Sequence, residues 1–372
     1  MWTLEEIARE WLMEGEPLMF PADEVLNAFD IAESIRGHEW VKSCTYLPNG
    51  GRQLGFHALL RVMAFAKCAE SARGAINLDN LHSRLRSLDV AADSELTAIH
   101  VLRADNMDSA LEICPSVRVG CGIRRPDFRI AKPTEPWTHV EVTRLHVSNA
   151  SERADALVGR LATEMMNAQG SFVIELVLWR LPSDPEIQSI VERARVESAS
   201  LEPRRIVLDD LVWIIIKPCD DPSVVTPTVL PVSDGPRIAR VIALVGPGHP
   251  NRQVIVRIPH SDVRAEDVIN AEAKQLPKDT AGLIMVDVAG QPSALNSWPD
   301  LVQHRFTPRQ HTRVGGIILF MFGVQLTAQG LTWLPYVRLI RNVHAAIPLP
   351  LWISATVDTL REATQALTGR PD

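Results

Sequence analysis

Two carboxylates lie close together in the stretch 109–145, at a spacing that could hold a cation. Asp127 and Glu141 fall in two segments, 124–131 and 138–145, that are bounded by turn residues and read as strands. Because side chains alternate between the faces of a strand, both carboxylates are predicted on one polar face. That face also carries Arg125, Arg129, His139 and Thr143, and the opposite face carries Phe128, Ile130, Val140 and Val142. Two neighbouring carboxylates are costly unless a cation lies between them.

A simpler interpretation accounts for the same pattern. Asp127 and Glu141 could face solvent on a half-exposed sheet, with the arginines as their cross-strand partners. The alternation of side chains does not by itself decide between a cation site and a solvated surface.

The residues Pro126, Asp127 and Phe128, followed by the sequence VEVT at 140–143, resemble the PD-(D/E)xK nuclease-like superfamily. The resemblance covers roughly residues 83–182. It implies an α/β fold with a restriction-endonuclease-like mixed sheet, built as a helix, a three-stranded meander, a helix and a further strand. It also implies that the Asp and the Glu hold Mg²⁺ or Mn²⁺, and that the substrate is a phosphodiester bond in DNA.

The order of predicted elements agrees with that resemblance. Helical apolar spacing covers 81–104, where Leu88, Ala91, Ile99 and Leu102 form one stripe. A first strand is predicted at 109–114, ahead of the two strands that carry Asp127 and Glu141. A second helix over 149–170 ends at a glycine, and the strongly apolar segment 171–181 is the predicted central strand.

Further site residues follow from the resemblance. Glu95 lies on the apolar stripe of the first helix, from which a glutamate of the superfamily often reaches the metal; pairing with Arg103 is the alternative. Glu112 would be the next candidate for a third acid. The backbone carbonyl of Val142 would complete the metal ligands. The expected phosphate contacts are Arg125, Arg129 and Arg144.

Thr143 departs from the motif, because the superfamily has a lysine there that helps to activate water. A threonine hydroxyl has no useful basicity near neutral pH. Lys132, His139 and Arg144 are the nearest substitutes. Two alternatives therefore stay open: a catalytically inactive nuclease-fold module for binding or assembly, and an α/β protein in which both carboxylates are surface residues.

The composition sets outer limits on function. The chain has 372 residues and a net charge of −7, so no global basic field favours nucleic acid, and DNA binding must use a local patch. Five cysteines without a CxxC pair indicate reduced thiols, and with no secretory leader or membrane-length apolar run we expect a cytoplasmic protein. DNA is the expected partner, no membrane partner is expected, and a homodimer is left open.

The predicted organisation has three regions. Residues 1–80 form a helical region, 81–216 the nuclease-like core, and 237–372 a C-terminal α/β region. The stretch 217–236 is rich in proline and is predicted to be a linker.

Overall fold

The structure is a computed structural model of the chain. It describes residues 2–12, 18, 20–46, 56–119, 122–145, 149–166, 172–198, 204–208, 210–218, 238–246, 249–259, 265–327 and 330–368. Most of the predicted proline-rich linker, residues 219–236, lies outside these ranges.

Six helices come first in the described chain, and strands and helices are mixed from Ala110 onward. The helices are α1 (Leu4–Trp11), α2 (Ala22–Arg36), α3 (His38–Ser43), α4 (Phe56–Ser71), α5 (Leu78–Arg86), α6 (Val90–Arg103), α7 (Asn149–Met166), α8 (Asp184–Ser198), α9 (Ala265–Glu272), α10 (Ala294–Arg305) and α11 (Leu351–Thr368). The strands are β1 (Ala110–Ile113), β2 (Val117–Val119), β3 (Gly122–Arg124), β4 (Phe128–Ala131), β5 (Thr138–Arg144), β6 (Phe172–Leu178), β7 (Arg204–Leu208), β8 (Val212–Pro218), β9 (Ile238–Gly246), β10 (His249–Pro259), β11 (Ala281–Asp287), β12 (Gly316–Thr327) and β13 (Gly330–Arg341). The fold is therefore mixed α/β, as the sequence predicts.

The chain divides into two compact units. Unit 1 comprises Met1–Leu145 and Arg264–Asp372, and unit 2 comprises His146–Val263. Unit 2 is thus an insertion in the sequence of unit 1, placed between β5 and α9.

Unit 1 contains a six-stranded mixed sheet in the order β1-β4-β5-β11-β12-β13. The predicted meander is present as the antiparallel strands β1, β4 and β5. The strand β11 runs parallel to β5 and to β12, and β13 closes the sheet as an antiparallel strand. The strands β2 and β3 form a separate two-stranded ribbon.

Both faces of this sheet are covered. On one face the N-terminal helices and α6 enclose Phe128, Ile130 and Val140, which are fully buried, with Val142 packed beside them. The predicted apolar face of the meander is therefore confirmed. On the other face α9 and α10 pack against apolar side chains of β11 and β12. A strand such as β11, buried on both faces, needs a continuous apolar sequence, which the segment 281–286 supplies.

Unit 2 has its own five-stranded mixed sheet, in the order β7-β8-β6-β10-β9. Its main core lies between this sheet and the helices α7 and α8. Strands β9 and β10 form the antiparallel hairpin that their sequence predicts.

This division differs from the predicted domain boundaries. The helix at 149–170 and the strand at 171–181 were predicted inside the nuclease-like core, but α7 and β6 belong to unit 2. The strand that lies parallel beside β5 is β11, preceded by α9, and both come from the predicted C-terminal region. The hairpin β9–β10, also predicted there, pairs with β6 instead. Apolar content alone could not distinguish β6 from β11 as the partner of β5.

The helix predicted over 81–104 is two helices. The chain breaks after α5 at Leu88, which has a left-handed φ of 61° and is 59% exposed instead of lying on a buried stripe. Asp89 then caps α6, since its side chain accepts a hydrogen bond from the backbone N–H of Ala91. Ile99 and Leu102 of the predicted stripe are fully buried.

None of the described helices combines the length and the apolar character that crossing a bilayer requires.

A buried histidine in the helical core predicts acid sensitivity. His100 of α6 contacts the hydroxyl of Ser71 through Nδ1 at 2.7 Å, and burial lowers its pKa to about 4. Above pH 6.5 the ring is neutral in both states and adds no pH dependence. As the pH falls from there toward 4, the unfolded chain binds a proton that the folded chain does not, so stability is lost. We expect the unfolding free energy of His100→Gln to fall less steeply over this range than that of the wild type, measured by urea unfolding at successive pH values. Equal slopes would contradict the assignment.

Candidate functional site

Asp127 and Glu141 meet at the end of the β4–β5 pair. Phe128 lies opposite Val140 and Arg129 opposite His139, so continuation of this register brings Asp127 opposite Glu141. Asp127 Oδ2 accepts a hydrogen bond from the backbone N–H of Val142 at 2.7 Å. The two carboxyl groups lie close to each other, since the charge of Asp127 is, after burial, the largest cause of the raised pKa of Glu141. Local strand register therefore brings the two acids together.

The pair is not a solvated surface. Glu141 is only 5% exposed and Asp127 is half-buried. Burial raises the pKa of Glu141, and the neighbouring charges of Asp127 and Glu272 raise it further. Burial also raises the pKa of Asp127. The interpretation in which both carboxylates face solvent is therefore wrong for Glu141.

Glu95 reaches the same pair from α6. It is 2% exposed, and burial together with the nearby charge of Asp127 raises the pKa of Glu95 to about 7. Its ionic partner is Arg84 of α5, which donates from Nη1 to Glu95 Oε2 at 2.9 Å and from Nε to Asp89 at 3.0 Å. The alternative partner, Arg103, instead donates to backbone carbonyls, among them that of Arg73 at 2.8 Å.

A fourth carboxylate, missed in the sequence, comes from the end of α9. The Glu272 side chain lies near Thr143 and Asp127: burial and then the charge of Asp127 raise the pKa of Glu272, and the Thr143 hydroxyl lowers it. The residue that stands in place of the motif lysine thus lies beside another acid. No local sequence signal predicts this proximity, because α9 and β5 are separated in the sequence by unit 2 and meet only in the folded protein.

The donor set fits a hard divalent cation. Within the described residues, Glu141 Oε1 is buried without a hydrogen-bond partner. The described His, Cys, Asp and Glu side chains form no ready-made metal group of three or more. Mg²⁺ commonly uses only one or two protein carboxylates and keeps several waters. Asp127 and Glu141 supply such a pair, while Glu95 is held by Arg84.

Comparison with protein-family models, with curated proteins and with solved structures gives no match for this chain. The site must therefore be interpreted from its own geometry.

The three arginines expected to contact phosphate have different surroundings. Arg125 is exposed and lines a cavity of about 390 Å³ that Cys114 also borders. Arg129 pairs with Glu112 at 2.5 Å, and its guanidinium lies 4.5 Å from the centre of the Trp137 ring.

Arg144 is half-buried, and its Nε lies 3.9 Å from Asp287 Oδ2. Asp287 also accepts hydrogen bonds from Ser94 Oγ at 2.6 Å and from the Ala289 N–H at 2.9 Å. Of the three expected phosphate-contacting arginines, Arg125 is thus the one that the structure leaves exposed.

The proposed substitutes for the missing lysine are engaged elsewhere. His139 is buried, its Nδ1 lies 2.9 Å from the hydroxyl of Thr280, and burial lowers its pKa to about 4. Lys132 Nζ lies 5.6 Å from the centre of the Trp352 ring. Glu272 is therefore a stronger candidate for proton transfer at this site than either residue.

The Arg84–Glu95 pair gives a stability prediction. Arg84→Met would leave the buried carboxylate of Glu95 beside Asp127 without its cation, and we expect a loss of about 2 kcal/mol, less than for a fully buried pair because Arg84 keeps some solvent contact. Adding Glu95→Gln removes that charge and should restore most of the stability. Chemical denaturation of the wild type and the two variants measures both effects. A double variant no more stable than Arg84→Met would show that Arg84 acts only by packing.

Proposed function

We propose that this chain is a metal-dependent endonuclease-like protein that binds Mg²⁺ or Mn²⁺ through Asp127 and Glu141 and hydrolyses phosphodiester bonds in DNA. The observation that carries the proposal is the pairing of half-buried Asp127 with buried Glu141 through strand register, where Glu141 Oε1 has no hydrogen-bond partner among the described residues. The backbone carbonyl of Val142 is the further protein ligand that the motif implies.

The order of elements in unit 1 supports the resemblance to PD-(D/E)xK nucleases. The helix α6 is followed by the antiparallel strands β1, β4 and β5, then by α9 and by β11 parallel to β5. This is the helix, meander, helix and strand order that the motif implies, with unit 2 inserted after β5.

Each side chain then has a role that its contacts support. The bound cation would polarise the scissile phosphate and lower the pKa of water. Arg84 holds Glu95 against Asp127 and limits the negative charge at the site. Glu272, beside Thr143, accepts the proton of the attacking water, and its raised pKa suits it to general-base work nearer neutral pH.

A second function is favoured by one observation. Thr143 replaces the lysine of the motif, and a site without that ammonium group fits a nuclease-fold module that binds DNA without cutting it. Under this alternative the carboxylates are remnants of a metal site.

A cleavage assay separates the two functions. Supercoiled plasmid and single-stranded oligonucleotide are incubated with Mg²⁺ or Mn²⁺, with a chelator control, and the strands are resolved on gels. Metal-dependent nicking that Asp127→Ala removes and Asp105→Ala retains is the expected result, since Asp105 is an exposed acid of the same unit. Retained DNA binding with no nicking under any of these conditions favours the inactive module.

A further inference from the structure

Unit 1 contains a basic cavity away from the carboxylates. Its volume is about 420 Å³, and its walls include Lys274, Lys278, Arg309 and Arg313, with His311 beside them and no acidic residue among the lining side chains. The chain has a net charge of −7, so four cations that line one cavity depart from its overall acidic character. These lining residues define the basic cavity.

The four cations of the basic cavity differ from other cations of unit 1 in their ion pairing. Within the described residues none of them forms an ion pair, whereas Arg84, Arg129 and Arg305 of the same unit are paired with glutamates. Glu266, one of the two acids in the first turn of α9, is the partner of Arg305. Neighbouring cations without acidic partners repel one another, so the cavity favours an anionic ligand.

The loop that carries Arg309, His311 and Arg313 is fixed by hydrogen bonds. Asn342 Nδ2 donates to the carbonyls of His311 at 3.0 Å and Val314 at 2.8 Å. The guanidinium of Arg313 donates to the carbonyl of Leu276 at 3.3 Å. A fixed loop presents its cations without a large ordering cost when an anion binds.

The helix α9 connects the basic cavity with the carboxylates. Glu272 at its end lies beside Thr143 and Asp127, and Lys274, two residues further on, lines the cavity. Lys278 lies six residues before Ile284, which is paired with Glu141 in the sheet. At about 3.3 Å per residue in an extended chain, the basic cavity and the carboxylates of Asp127 and Glu141 are on the order of 10–20 Å apart. This distance corresponds to about three to six nucleotide steps of a DNA strand.

We propose that the basic cavity binds a backbone phosphate of the nucleic acid, a few nucleotides from the bond held at Asp127 and Glu141. The identity of the ligand rests on the proposed function. Such a contact fixes the register of the strand over the carboxylates and carries no sequence information.

The test compares two double variants that each remove two positive charges. Lys278→Ala with Arg309→Ala changes exposed side chains of the basic cavity, and Lys42→Ala with Arg73→Ala changes exposed side chains on the helical part of unit 1. Binding of labelled duplex and single-stranded DNA is followed by fluorescence anisotropy in chelator at several salt concentrations, so the measured affinity does not depend on cleavage. Thermal unfolding checks that each variant is folded.

We expect the cavity variant to bind about tenfold more weakly, with the slope of log affinity against log salt reduced by about 0.9 for each phosphate that the cavity no longer neutralises. The control variant should keep most of the affinity and the slope. Equal decreases in the two variants would overturn the proposal, since only general charge would be involved. Wild-type protein that binds inorganic pyrophosphate in the cavity but no DNA would also overturn it, in favour of a small phosphorylated ligand.

Failure of the proposed function gives a different result. Cavity-dependent DNA binding without metal-dependent cleavage refutes the nuclease and keeps the basic cavity as a phosphate site. Metal-dependent cleavage by a protein whose DNA affinity is the same in the wild type and the cavity variant supports the nuclease and refutes the cavity proposal.

Discussion

Asp127→Asn is expected to abolish both metal-dependent stabilisation and metal-dependent cleavage, while the metal-free protein stays at least as stable as the wild type. The asparagine oxygen can still accept the hydrogen bond from the Val142 N–H. The substitution removes the charge that raises the pKa of Glu141, so the metal-free fold is relieved of a repulsion. Cleavage should fall at least about 10³-fold, because the Lewis-acid contribution of a metal is worth several kcal/mol.

The measurement is thermal unfolding with chelator, Mg²⁺ or Mn²⁺, beside the cleavage assay. A ligand that binds only the folded state raises the unfolding temperature with its concentration. Asp105→Asn is the matched control, an exposed acid that should leave the metal response unchanged. A variant that keeps the metal-induced rise, or a wild type that shows none, would remove Asp127 from the metal site.

The meander could be predicted because its signals are local. Turn residues separate its strands, and the alternation of Phe128 and Ile130 with Asp127 and Arg129 assigns each face. The strand that continues the sheet beyond β5 could not be predicted in the same way. Both β6 and β11 are apolar and follow a helix, and only tertiary packing across the inserted unit selects β11. Sequence order therefore favours β6, the nearer strand, as the partner of β5, whereas the partner in the structure is β11.

The residues of the candidate site likewise include some whose positions local sequence predicts and others whose positions depend on tertiary packing. Asp127 and Glu141 face each other through strand register, so their meeting follows from a local pattern. Glu95 lies on the apolar stripe of α6, and its approach to the pair is what the resemblance implies. Arg84 could not be predicted as the partner of Glu95. In a single helix over 81–104, Arg84 and Glu95 would be separated along the helix axis. The turn at Leu88 instead changes the direction of the chain between α5 and α6, and this brings the guanidinium of Arg84 into contact with the carboxylate of Glu95.

Glu272→Gln should lower the cleavage rate by about 10² to 10⁴, the usual contribution of a general base. The amide has nearly the same size as the carboxyl group but cannot accept the proton of the attacking water. Because burial and Asp127 raise the pKa of Glu272, its carboxylate form is lost as the pH falls through that raised value. At saturating metal, which keeps Asp127 and Glu141 ionised, the wild-type rate should therefore drop on the acid side, and the part of this limb that Glu272 contributes should be missing in the variant. Asp267→Asn, an exposed acid of the same helix, is the matched control.

Thr143→Lys decides whether Thr143 and Glu272 together replace the motif lysine. In the wild-type background the new ammonium group lies beside Glu272 and should maintain or raise the rate. In the Glu272→Gln background it should recover part of the missing activity, so the two substitutions are not additive. Each variant should keep the metal-induced rise in unfolding temperature, because Asp127 and Glu141 are unchanged. If Glu272→Gln cleaves as fast as the wild type, Glu272 has no part in proton transfer. If wild type and Thr143→Lys are both inert with every metal and DNA form, the inactive binding module becomes the better account, because a site with its lysine restored should then have regained activity.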